Sequence, residues 1–191
     1  TDVFQEGIRI PWMHLYRDGV PVDEVFTVFA ANVRIPQMAL GDISAQVAAC
    51  SVGERGLLEL VGRYGVEQLA AIMRDLLNHT EAMVRHEIEG WPDGSSTFTD
   101  FLDSDGLDER AVPVEVVLTI SGDEVIADFS GCPEMVRGAL NSTRSFTQAA
   151  VYHAIRCAMV SEIPYTAGAF RPISVVTKPG TIAEVIPPAA S

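Results

Sequence analysis

The longest hydrophobic pattern in the chain lies between Asn32 and Gly65. Apolar residues recur at Ile43, Val47, Cys50, Leu57, Val61 and Tyr64, the spacing of one helix face. Pro36 suits a first helical turn, where its missing N–H costs nothing. Gly65 suits a C-terminal cap. A second periodic stretch, from about Glu67 to Glu89, turns Leu69, Ile72, Met73, Leu76, Met83 and Val84 inward. So short a connection predicts the two long helices as antiparallel neighbours. Before them, Arg17-Asp18-Gly19 reads as a turn. Val22, Phe26, Phe29 and Val33 then mark a shorter helix closed by Asn32 and Arg34. The first ten residues read as extended: Val3, Phe4, Ile8 and Ile10 surround Gln5, Glu6 and Arg9, and Pro11 follows.

The pattern changes at Gly90-Trp91-Pro92-Asp93-Gly94, where Gly and Pro break the helix. Ser96 to Phe101 alternates, and Ala111 to Ile120 alternates more strongly, with Val112, Val114, Val116, Leu118 and Ile120 on one face. Ser121-Gly122-Asp123 turns the chain toward Val125, Ala127 and Phe129, which predicts a hairpin. Asn141 or Ser142 is placed to cap a helix running to about Val160. A rigid loop at 163–172 leads to strands at Ile173 to Thr177 and Ile182 to Ile186. The expected class is α+β: a mainly helical region, 1–90, with a pair of long antiparallel helices, then an α+β region, 91–191, with β-hairpins and one helix.

Composition narrows the function. Apolar residues make up 48% of 191, with a mean hydropathy of +0.20, so much apolar surface must be buried. A net charge of −13 argues against nucleic acid as a partner. No apolar run approaches the length of a membrane span and no signal peptide is visible, so no membrane partner is expected. The three cysteines are odd in number and lack metal-ligand spacing. Cys50 and Cys157 lie on apolar helical stripes and read as small core residues, consistent with a reducing cytoplasm.

Candidate chemistry is sparse. Beside the stripe of the first long helix runs the row Asp42, Gln46, Ala49, Gly53 and Gly56. Asp42 and Gln46 point the same way, and next to a buried stripe they need partners. They are either a structural hydrogen-bond pair or the support of an active site. Glu6, in an apolar setting, is a candidate general base with a raised pKa, or a loop carboxylate paired with Arg9. His14 stands alone, His79 and His86 read as solvated, and His153 reads as a core histidine. The acidic run from Asp100 to Glu109 lacks the ligand spacing of an EF-hand and reads as a solvated loop. The helix N-terminus near Asn141, reached through a Gly-containing loop with Arg137 nearby, can hold an anion or a substrate carbonyl. It lacks the GK[ST] ending of a phosphate loop. An ordinary capped connection is the alternative.

Several separated segments share one likeness. LGDISAQVAACSVGERGLLELVGRYG, the opening TDVFQEGIRIP, DFSGCPEMVRGALNST and AGAFRPI together resemble, in order, the hydantoinase B/oxoprolinase family. The resemblance covers nearly all 191 residues. Family members are several times longer, so the chain, starting at Thr1 without Met, reads as an internal piece of a larger polypeptide. The resemblance implies the hydrolytic subunit of an ATP-dependent cyclic amidase, opening a hydantoin- or oxoproline-like ring. It implies a hetero-oligomer in which a hydantoinase A-type partner uses ATP to phosphorylate the amide oxygen. It also implies a divalent metal such as zinc, manganese or magnesium. The family's His- and Asp-rich metal segment precedes the QEG motif, and no such cluster is visible here, so no metal ligand is assigned. Because QEG and RIP follow that region, Glu6 and Arg9 become candidate catalytic residues. Gln5, Asp42, Gln46, Arg137 and Asn141 become candidate substrate-binding or supporting residues. Thr166 and Ala169 stand where the family often has Asn and Cys, which argues against a catalytic role for that loop. Two other functions fit the same scaffold: a subunit of an ATP-dependent ketone carboxylase like acetone carboxylase, and a non-catalytic assembly fragment.

Overall fold

The structure, a computed structural model, describes residues 2–7 and 9–190. Gly7–Ala71 forms one compact unit, and the remaining described residues form another. The expected boundary at Gly90 coincides with the change from helix to strand, whereas the compact units divide between Ala71 and Ile72.

In the first unit, β1 (Tyr16–Arg17) and β2 (Val20–Pro21) pair antiparallel around Asp18 and Gly19. Both turn residues take positive φ, 50° and 79°, as a two-residue hairpin of this twist requires. Helix α2 (Asp23–Asn32) packs against α3 (Pro36–Tyr64). Gly65, at φ 77°, ends α3 and donates its N–H to the Val61 carbonyl over 2.8 Å. Within α3 no residue is buried. The stripe foreseen as a core face is therefore open in this chain, and Cys50 is exposed rather than a core residue. The short connection was the reason for expecting α3 to lie antiparallel beside the helix that follows it; the helix that packs against α3 here is α2.

Helix α4 (Val66–Glu89) starts in the first unit and ends in the second. Its buried residues are Leu69, Thr80, Val84 and Ile88, whereas Ile72, Met73 and Leu76 are exposed, contrary to the sequence pattern. The reason is the sheet onto which the last turns of α4 fold. Strands β3 (Gly94–Leu102), β4 (Val112–Ser121) and β5 (Glu124–Asp128) run antiparallel in the order β3-β4-β5, and β6 (Ile173–Val176) joins β5 in parallel. Phe98 faces Val116, Leu118 faces Ala127, and Val125 faces Ile173. The β4–β5 turn carries Gly122 at φ 59°, and the Gly122 N–H donates to Asp93 Oδ1 over 2.8 Å. Helix α5 (Arg144–Ala158) lies in the β5–β6 crossover. Val84 and Ile88 of α4, Val125 and Ala127 of β5, Val151 and Ile155 of α5 and Ile173 of β6 form the core. Arg85 braces this packing from outside, meeting Glu81, Asp123 and Glu124 at 3.0–3.1 Å.

Four local expectations are corrected. The opening segment holds a short helix, α1 (Val3–Glu6), because Asp2 Oδ1 accepts the N–H groups of Phe4 and Gln5. Residues 182–186 form no strand: the chain turns at Gly180 (φ 85°) and makes isolated bridges at Thr181. The cap of α5 is Thr143, whose Oγ1 accepts the Phe146 N–H. His153 and Cys157 point outward from α5, with Nε2 and Sγ 3.6 Å apart, while Cys132 is the buried cysteine.

Candidate functional site

The loop from Phe129 to Thr143 in the second unit is held by several backbone and side-chain bonds. It leaves β5 at Asp128, whose carboxylate accepts the Ser130 N–H over 2.8 Å and is held below the usual range mainly by the Ser130 hydroxyl. Cys132 is buried, its thiol donating to the Glu115 carbonyl over 3.3 Å, and burial pushes that thiol up. Met135 donates its N–H to the Gly180 carbonyl, and the Pro133 carbonyl accepts from Ile182. The acidic segment before β4 completes the arrangement. Asp105 Oδ1 accepts the N–H groups of Asp108 (2.7 Å) and Leu107 (2.9 Å), and Oδ2 accepts that of Gly138 (3.2 Å). The Asp108 and Leu107 amides hold its carboxyl below the usual carboxylate range, and the charge of Arg137 adds to this. A Cβ on Gly138 would stand 1.7 Å from the Asp105 carbonyl oxygen, so this close approach needs glycine.

Asn141 ties the loop together. It is buried, and its Oδ1 accepts the Val136 N–H over 2.8 Å. Its Nδ2 donates to the carbonyls of Val136 (2.9 Å), Gly138 (3.2 Å) and Ala190 (2.9 Å). The last bond matters for placement, because the same terminal segment holds α1: Val3 donates its N–H to the Pro188 carbonyl, and Asp2 bridges to Ala189. Gln5 and Asn141, far apart in sequence, are thus anchored on one stretch of chain. Beside the loop lies a cleft of about 370 Å³ bordered by Asp105, Asp108, Arg110, Glu134 and Arg137. With the Asp105 carboxylate taken by backbone amides, Arg110, Arg137, Asp108 and Glu134 are the remaining charged residues on the cleft's border, and a border of both signs suits a small polar ligand carrying both donors and acceptors.

The candidates from the sequence fall into two groups. Gln5, Arg137 and Asn141 belong to the second unit. Gln5 is exposed, Arg137 borders the cleft, and Asn141 has its polar atoms taken by backbone. Arg9, Asp42 and Gln46 belong to the first unit, and all three are exposed. The expectation that Asp42 and Gln46 are buried and bonded is corrected, because no residue of α3 is buried and both side chains are exposed. Arg9 borders a hollow with Pro11, Trp12 and Phe29. The side chain of Glu6 lies outside the described residues. Ala169 is buried in the core, and Gly168 sits so close to α4 that a Cβ would meet the Leu77 carbonyl at 2.0 Å. Sequence reasoning missed Asp105 and Arg110. The signal for Asp105 was present: Asp-Gly within an acidic loop is a common site for a side chain that bonds its own following amides. Among the described residues, no group of three His, Cys, Asp or Glu side chains is arranged to hold a metal. None of the described helices is long and apolar enough to cross a membrane.

The hydantoinase B/oxoprolinase family model matches residues 1–191. The chain belongs to this family. Among the family's curated proteins, one from Pseudomonas sp. (strain NS671), named as a D-/L-hydantoinase of the B type, is 29% identical over 99% of the chain and 34% of its own length. The beta component of the caprolactamase of Pseudomonas jessenii is 31% identical over 98% of the chain and 32% of its own. The crystal structure of the ATP-dependent caprolactamase from Pseudomonas jessenii superimposes with a TM-score of 0.85 at 31% identity, over 98% of this chain and 32% of the other. A nucleotide-free acetone carboxylase also reaches 0.85, over all of this chain and 27% of the other, but at 14% identity it shows the shared fold alone. The chain spans about a third of the length of the first two relatives.

Proposed function

We propose that this chain is part of the hydrolytic B-type subunit of an ATP-dependent cyclic amidase, working in the cytoplasm with a hydantoinase A-type partner and opening a hydantoin- or oxoproline-like ring. The observation that carries the reading is the match, along almost the whole chain, to the beta component of a caprolactamase described as ATP-dependent. A cyclic amide resists water because its nitrogen lone pair is shared with the carbonyl. Phosphorylation of the oxygen by the partner removes that resistance and supplies a leaving group. In this reading Glu6 accepts the proton of the water that adds to the ring carbon, and the ring C–N bond then breaks with the nitrogen leaving protonated. The acyl phosphate so formed is hydrolysed to a carboxylate and inorganic phosphate, whose charge Arg9 takes through paired donors. Arg137 and Arg110 hold polar groups of the substrate in the cleft beside the Asn141 loop, and Gln5 lies on the segment anchored next to it. Asn141 keeps the loop in shape, and Asp42 and Gln46 act from α3. The divalent metal that the family resemblance implies finds no ligand set among the described residues, so no step is drawn through it.

Glu6→Gln in the complete subunit with its partner tests the assignment. It keeps the shape and removes the charge. ATP-coupled ring opening should fall at least about tenfold, which is about 1.4 kcal/mol of barrier, with folding unchanged. Full turnover by the variant would refute the role of Glu6. ATP consumption that requires bicarbonate and a ketone, with no ring opening, would replace the amidase by a carboxylase.

A further inference from the structure

The sheet of the second unit is covered unevenly on the side of α5. Val151 and Ile155 of α5 are buried against Val125, Ala127 and Ile173, so the helix lies over β5 and β6. Over β3 and β4 the same side of the sheet is open. A trough of about 410 Å³ runs there between Phe98, Val116 and Leu118 of the strands and Ala154 and Ala158 of α5. A second hollow of about 180 Å³ continues it past Phe129 toward Leu102 and Phe146. No side chain bordering either hollow is ionisable, although a fifth of the chain is charged. Phe98 is 66% exposed and Phe146 69%. An open apolar surface of this kind marks a contact site rather than ordinary solvent-facing surface.

We propose that this trough is filled, in the complete subunit, by an apolar helix face from the same polypeptide outside these 191 residues. The width fits. Strands lie about 4.8 Å apart, so β3 and β4 sit about two strands, or about 10 Å, from the line of α5, which is the distance between packed helices. Ala150, Ala154 and Ala158 recur every fourth residue along the flank of α5 that borders the hollows, which lets a second helix backbone approach closely. The absence of charge excludes a polar metabolite as the occupant and fits a helix face with no charged side chains. The source follows from length: the chain spans 34% and 32% of two relatives, so two thirds of such a subunit remain to supply the helix. A tethered segment also has the advantage of high effective concentration over a second copy or a partner. The proposal holds whichever reaction the subunit performs.

Thiol labelling of the complete subunit tests it. In a background where Cys50, Cys157 and every cysteine outside these 191 residues are replaced by Ser, and Cys132 is kept because it is buried, Phe98→Cys and Ala154→Cys are introduced one at a time. Each variant is first checked for an unchanged melting midpoint. Both thiols should react with a maleimide at least a hundredfold more slowly in the native subunit than after unfolding. That protection should be independent of protein concentration and present without the partner subunit. Labelling of either position at the unfolded rate overturns the proposal. So does protection that appears only with the partner, or only as concentration rises, because the occupant is then the partner or a second copy.

Discussion

Replacing Asn141 gives the sharpest test of how the loop beside the cleft is held. The residue is 5% exposed, and its side chain accepts one backbone N–H and shares two N–H donors among three carbonyls. Asn141→Ala removes three bonds' worth of donors and acceptors and leaves the Val136 N–H without its acceptor. At about 1 kcal/mol per bond, the variant should lose about 3 kcal/mol, more if water cannot reach the orphaned groups. Asn141→Asp adds a pH signature. Its carboxylate would face three carbonyl oxygens at 2.9–3.2 Å, which raises its pKa in the folded protein. A group whose folded pKa is raised favours the folded state when protonated. The penalty of Asn141→Asp relative to the natural protein should therefore be complete above that raised pKa. It should shrink as pH falls toward the unfolded aspartate value of about 3.9. With two compact units, a single melting midpoint can hide a local loss. Hydrogen exchange at the Val136 amide reads the bond directly. Unchanged protection of that amide in Asn141→Ala, with an unchanged midpoint, would refute the clamp and return Asn141 to the candidates for substrate contact.

Other outcomes follow from the same geometry. Gly138→Ala drives a methyl group into the Asp105 carbonyl, so it should cost at least about 2 kcal/mol by thermal unfolding, since backbone and not a flexible side chain must move. Asp42→Ala, at an exposed position, should change stability by less than about 0.5 kcal/mol, and lost turnover with that stability intact would support a role for Asp42 in the active site. Asp105, held low by backbone amides, contributes stability that is present above the ordinary aspartate range and lost as pH falls through its lowered folded value. Asp105→Asn should flatten that acid limb in urea titrations at successive pH values.

The sequence by itself settled what local chemistry settles. Pro36 and Gly65 bound α3, Arg17-Asp18-Gly19 turns the chain, and Gly122 turns β4 into β5, because each of these depends on backbone φ within a few residues. Alternation from Val112 to Ile120 made β4 visible for the same reason. The ordered motifs that place the chain in its family are likewise properties of sequence alone. Tertiary structure decided which faces are buried. Val84 and Ile88 are fully buried because the end of α4 meets the sheet, while no residue of the apolar stripe of α3 is buried, and Asp42 and Gln46 are exposed. It also decided what the polar residues bond. Asn141 has the chemistry of a helix cap, but Ala190 reaches it from the end of the chain, and Thr143 caps α5 instead. Asp105 read as a solvated carboxylate until Gly138 was brought against it. Hydrogen bonds between residues 33 and 49 positions apart leave no periodicity behind, so only the folded chain could reveal the clamp beside the cleft.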